Sequence, residues 1–226
     1  MNSNNPTTQP FVITIGRQMG SGGRELGQRL ATLLGIEFYD KKLLLDAARK
    51  SGLVPEIMER GDERTPSVLN GVFGAGFGSV FTSGMSAGYI GDDAVYRAQS
   101  DMIRELGASK SCVIVGRTAD YVLRDHPRCI NIFIHAPENV CVERLLSRGD
   151  KASESEARSM VRKVNKLRSS YYNFYTDKSW GAASSYDLTI DSSLLPMDET
   201  ARLIADYVRT RLSAAATTSS SQQING

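Results

Sequence analysis

Hydrophobic positions along the chain follow two rhythms. Short, largely apolar runs such as Val12-Ile13-Thr14-Ile15, Cys112-Val113-Ile114-Val115 and Ile130-Asn131-Ile132-Phe133-Ile134 read as strands buried on both faces. Between them, apolar residues recur every three or four positions, as at Leu26, Leu30, Leu33 and Leu34, which is the period of an amphipathic helix. In chain order the pattern predicts strands at 11–15, 37–39, 112–115, 130–134 and 187–190. It predicts helices at 23–34, 41–51, 92–107, 117–124, 138–147 and 197–212. Strands alternating with helices give an α/β fold, a parallel sheet of about five strands with helices on both faces. Ligands of such sheets sit at the C-terminal ends of the strands.

Two segments break the alternation. Residues 70–91 carry seven glycines among Phe73, Phe77, Val80, Phe81, Met85 and Tyr89, too apolar for a solvated linker and too glycine-rich for a stable helix. A flap over a pocket, a subunit contact and a loop packed on the core all fit, and no chemistry is assigned there. Residues 150–180 open on Ser153-Glu154-Ser155-Glu156, a capping box that starts a long basic helix. Arg158, Arg162 and Lys166 follow one ridge of it, with Lys163 and Arg168 alongside, while Val161, Val164, Tyr171 and Tyr175 suggest an apolar stripe. Such a ridge is either a solvated face or an anion-binding one. The polar ends, 1–10 and 213–226, read as disordered tails around one domain at 11–212.

The first strand runs straight into Gly16-Arg17-Gln18-Met19-Gly20-Ser21-Gly22-Gly23-Arg24-Glu25 and then into a helix. Glycines let successive backbone N–H groups converge on an anion, and the helix N-terminus adds its partial positive charge at the same point. Phosphate is the natural ligand. The usual phosphate-loop signature places Lys and then Ser/Thr after the last glycine, whereas Gly23, Arg24 and Glu25 stand here.

Composition narrows the setting. The 226 residues, 41% of them hydrophobic, can build a sizeable core without staples. Cys112, Cys129 and Cys141 are odd in number and share no metal-ligand spacing, which fits buried thiols in a reducing compartment. The polar start, with no apolar stretch of the roughly 18 residues a membrane span needs, points to a cytoplasmic protein with no membrane partner. A net charge of +2 gives no field that suggests nucleic acid. Oligomeric state is not readable. His126 and His135 stand alone, and packing is favoured over catalysis for both.

Gly20-Ser21-Gly22-Gly23-Arg24-Glu25, Phe38-Tyr39-Asp40, Val113-Ile114-Val115-Gly116-Arg117-Thr118-Ala119-Asp120 and Tyr186-Asp187-Leu188-Thr189-Ile190-Asp191 together resemble the cytidylate-kinase-like branch of the P-loop nucleoside monophosphate kinases. The resemblance spans roughly residues 11 to 210. It implies an acceptor-binding lobe at about 40–110 and an arginine-bearing lid at about 150–180.

It further implies that Gly16, Gly20, Ser21, Gly22 and Gly23 cradle the donor phosphates with Arg24 beside them, and that Arg117 holds the acceptor's phosphate. Asp40 and Asp120 would lie near the acceptor, Asp120 standing in for the carboxylate that typical cytidylate kinases carry where this chain has Thr118. Asp40 is equally readable as a helix N-cap. Arg162, Lys166 and Arg168 would close over the transferring phosphoryl group. The missing lysine leaves Arg24 as a candidate replacement, and Glu25 either holds Mg²⁺ through water or pairs with Arg29 four residues on. The expected activity is ATP- and Mg²⁺-dependent phosphoryl transfer to CMP or dCMP. The alternatives are a kinase for another small acceptor, a nucleotide-binding regulator with little turnover and, last, a nucleic-acid module using the basic helix.

Overall fold

The computed structural model describes residues 9–50 and 88–223; the glycine-rich segment thus lies largely outside the described residues. Five parallel strands, β1 (Val12–Arg17), β2 (Glu37–Tyr39), β3 (Cys112–Val115), β4 (Cys129–His135) and β5 (Leu188–Asp191), form one sheet in the order β2-β3-β1-β4-β5. Val12 lies level with both Cys112 and Cys129, and Ile15 with both Val115 and Ile132. The central strand therefore ends between its two neighbours. The chain leaves β1 towards β2 and β3 and then crosses to β4, so the crevice of a topological switch opens at the C-terminal end of β1.

Helices α1 (Gly23–Leu34), α2 (Lys41–Lys50), α3 (Gly88–Ser109), α4 (Ala119–Val122), α5 (Glu138–Ser147), α6 (Glu154–Tyr175) and α7 (Met197–Gln223) connect or flank the strands. Ile13, Ile15, Val113, Val115, Ile132 and Ile134 pack from the sheet against Leu26 and Leu30 of α1 and Ala201, Ile204 and Val208 of α7. A second cluster joins Cys141, Val142 and Leu145 of α5 to Ala157 and Val161 of α6. Helix α1 stops in a Schellman turn: Gly35 has φ 65°, its N–H bonds the Thr32 carbonyl, and the Ile36 N–H reaches Ala31.

The chain divides into two compact units, one of residues Met1–Asp40 with Leu106–Gly226, the other of residues Lys41–Glu105. The sheet belongs wholly to the first. In the second, α2 and most of α3 are described, with Leu44, Met102 and Ile103 buried.

Element limits differ from the periodicity in three places. Helix α4 is only Ala119–Val122, because Gly116, Arg117 and Thr118 all have positive φ and cannot join it. Helix α3 begins at Gly88, within the glycine-rich segment. Helix α7 continues to Gln223, past Leu212, which packs on the core, and through residues expected to form a tail.

Candidate active site

The glycine loop crosses from β1 to α1 at the C-terminal edge of the sheet. Gly20 and Gly22 have φ of 80° and 78°. At Gly20 a side chain is also excluded sterically, since a Cβ would stand 2.6 Å from the Cys141 carbonyl oxygen. The loop is tied down from several sides. The Gln18 N–H donates to Ile134 O at 3.0 Å, and the Ala136 N–H donates to Gln18 Oε1 at 3.2 Å. Arg144 of α5 and Ser192 beyond β5 both donate to the Ser21 carbonyl, at 3.0 and 2.6 Å. The first backbone bond of α1 runs from Leu26 N to Gly22 O, which leaves the amides of Gly23, Arg24 and Glu25 without an intrahelical acceptor. This is a helix N-terminus whose amides point out of the helix, pinned to its neighbours.

Helix α6 docks on the same loop. Asn165 accepts the Met19 N–H at 2.7 Å, and Arg168 donates to the Arg17 carbonyl at 3.0 Å. The Arg168 Nε is buried without a partner among the described residues, and burial lowers the guanidinium to about 10. Arg17, half-buried, is pushed well below its ordinary value by burial first, then by Arg168 and Arg117, with Asp40 acting the other way. Arg117, also half-buried, is lowered by burial and partly restored by Tyr171. Beside the loop, Arg168 thus reaches the Arg17 carbonyl while the Arg17 guanidinium rests against Gly116, next to Arg117, and an anion there would relieve the repulsion that Arg17 meets from both.

Other candidate residues lie as follows. Gly16 is inside β1, packed under Phe133, and the buried Ser21 hydroxyl donates to Gln18 O at 2.9 Å. Arg24 pairs with Asp40 at 2.8 Å and lies over the Phe38 ring. Glu25 pairs with Arg29 at 2.7 Å, and Arg29 also bonds Asp198. Asp120 is buried under α6: the Tyr172 hydroxyl donates to it at 2.6 Å, and burial raises its carboxyl. Arg162 faces Glu138, giving it two bonds of 2.9 Å, and Arg158 joins them at 2.8 Å; Lys166 is exposed. Among the lid cations, Arg168 is brought to the loop and Arg162 is not.

Arg17, Asn165 and Arg144 were not singled out in the sequence. For Asn165 and Arg168 a signal existed. Val161, Asn165, Arg168 and Tyr172 share one helical face, so two polar residues interrupt the stripe that faces the protein. For Arg17 the only hint is its place directly after Gly16.

The sheet order and the glycine loop between β1 and α1 define a P-loop type of α/β fold. A solved gluconokinase from Sinorhizobium meliloti 1021 shares the fold at TM-score 0.52 and 15% identity, over 93% of this chain and 98% of its own. An uncharacterized protein from Eubacterium ventriosum is more similar, with TM-score 0.64 and 26% identity over 88% of this chain and 99% of its own. No curated protein matches. The chain belongs to the cytidylate kinase-like family, whose model matches residues 12–194. Among the described residues no helix is long and apolar enough to cross a membrane.

Proposed function

We propose that this protein is an ATP-dependent kinase acting on a nucleoside monophosphate, with CMP or dCMP the expected acceptor. The observation that carries the reading is an anchored glycine loop with Arg168 bonded to the Arg17 carbonyl at 3.0 Å and the Arg17 guanidinium resting on Gly116, next to Arg117. Transfer of a phosphoryl group needs mainly positioning and charge stabilisation, and fixed guanidiniums supply both without a loop lysine. In this reading the loop amides receive the donor phosphates, Arg117 holds the acceptor phosphate and Arg168 faces the transferring group. Arg162 and Lys166 serve only if α6 shifts, since Arg162 is engaged by Glu138. Asp40 would contribute through Arg24, and Asp120 by fixing the Tyr172 end of α6.

Magnesium does not find a ready seat on the chain. Among the described residues there is no cluster of three or more His, Cys, Asp or Glu, and Glu25 is held by Arg29. The ion would arrive on the nucleotide phosphates, and no step is assigned to a protein-held metal. The same departures, Gly23 in place of lysine and Glu25 turned aside, favour the second reading, a nucleotide-binding regulator with little turnover.

An ADP-release assay with ATP and Mg²⁺ across CMP, dCMP, UMP, AMP and GMP, with gluconate alongside, tests the proposal. Preferential turnover of cytidine nucleotides is expected. Turnover of gluconate alone would overturn the acceptor class, and ATP binding with no turnover at all would leave the regulator.

A further inference from the structure

Building on the reading of the loop as a nucleotide-phosphate site, we propose that Arg17 takes the part of the missing loop lysine and that Gly23 is glycine in order to admit it. The course of the arginine carries the argument. A Cβ added to Gly23 would stand 2.6 Å from Arg17 Cβ and 3.1 Å from its Cγ, so the stem of Arg17 passes directly over residue 23. A Cβ added to Gly116 would stand 2.0 Å from Arg17 Nη1, so the guanidinium rests against the β3 exit. A side chain at position 23 is excluded by the Cβ of any residue but glycine at 17, and the Cγ of Arg17 tightens the same place further. The clash falls on the base of the arginine, which cannot swing away as a flexible tip could. The lysine position and Arg17 are therefore two ways of bringing one cation to the same loop, and this chain uses the second.

The guanidinium of Arg17 makes no hydrogen bond or ion pair among the described residues. Asp40, the carboxylate that favours its charge, is already bound by Arg24 at 2.8 Å. Its cationic neighbours, Arg168 and Arg117, repel it. A structural arginine would face an acceptor. This one meets two cations and a carboxylate already engaged by Arg24, which suits a multiply charged phosphate chain whose oxygens a planar guanidinium can bind in pairs.

The test uses the full chain with Arg17→Ala and with the double variant Arg17→Gly/Gly23→Lys. It measures equilibrium affinity for ATP and for adenosine, kcat with the best acceptor, and thermal unfolding. Arg17→Ala should weaken ATP at least tenfold, leave adenosine affinity unchanged, and lower kcat about 10²-fold. Its Tm should equal or exceed that of the parent, since a cation is removed from between two others. The double variant should regain at least tenfold over Arg17→Ala, because only glycine at 17 removes the Cβ that a side chain at 23 would meet. Unchanged ATP affinity in Arg17→Ala, or a double variant no better than Arg17→Ala, would overturn the assignment, as would a Tm loss with adenosine and ATP weakened alike. If the parent binds ATP but phosphorylates no acceptor, the kinase reading falls while the ATP-to-adenosine comparison still decides the role of Arg17.

Discussion

Arg168→Met separates a cation kept for chemistry from one kept for structure. Burial lowers Arg168 from 12.5 to about 10. The folded value lies below the unfolded one, so the charged form is penalised at every pH below about 10, and the penalty fades only as pH rises from there towards 12.5. At about 1.4 kcal/mol for each tenfold change in proton affinity, the penalty at neutral pH is about 3 kcal/mol. One charge-assisted bond to the Arg17 carbonyl returns about 1.5–3 kcal/mol. The two nearly cancel. Methionine keeps the length and apolar stem of the side chain, so urea unfolding of Arg168→Met should agree with the parent within about 1 kcal/mol, or about 2–4 °C in Tm for a chain of this size.

Turnover should respond very differently. If Arg168 stabilises charge that develops on the transferring group, its loss should lower kcat by about 10²–10³-fold while ATP affinity changes far less. Arg168→Lys should fall between, keeping the charge without the fork. A variant destabilised by more than about 3 kcal/mol with parental kcat would refute the reasoning and make Arg168 a structural tie between α6 and the loop.

Three further outcomes are expected. Arg162 and Arg158 hold Glu138 down to about 2, so the stabilisation it gives is complete above about 4.5 and is lost as pH falls from there to 2; the stability gap between parent and Glu138→Gln in urea should be widest at pH 6 and closed by pH 2, and parallel curves would contradict this. Burial raises Cys112 and Cys129 to about 12 and also raises Cys141, so at pH 8 a thiol reagent should react only as the protein unfolds, and rapid labelling of the native protein would be inconsistent with the packing. Gly20→Ala should destabilise by about 1–2 kcal/mol from its left-handed φ alone and by more from the approach to Cys141 O, read by urea unfolding; a neutral result would mean that the loop is not fixed as described.

What the sequence made legible follows from where local physics decides. Strands buried on both faces are written as apolar runs, and α5 and the start of α6 are fixed by local signals, the latter by Ser153 accepting the Glu156 N–H. The glycine loop was readable as a passage from strand to helix because its glycines stand close together in sequence. Arg17 and Asn165 were not, because their roles arise from what the fold brings to them, the β3 exit in one case and the Met19 amide in the other. The same limit separates Arg162 from Arg168. Both are arginines of one basic helix, and only the partner across the gap, Glu138 or the Arg17 carbonyl, distinguishes them.

The β3 exit joins these strands of argument. Gly116, Arg117 and Thr118 take φ of 80°, 62° and 51° in succession, a left-handed turn that costs about 1–2 kcal/mol at each non-glycine residue. It is held by Ala119 N to Gly116 O at 3.2 Å, by Tyr121 and Val122 N to Thr118 O at 2.9 Å, and by the Thr118 hydroxyl on the Arg117 carbonyl. The turn leaves residue 116 bare for the Arg17 guanidinium and sets Arg117 beside it, so backbone strain and charge repulsion are concentrated on one spot. Both costs are borne by a sheet whose inward residues are almost wholly buried. A phosphate group between the arginines would remove the repulsive part alone, which ties anion binding to the stability of this corner: added ligand should raise Tm in the parent more than in Arg17→Ala.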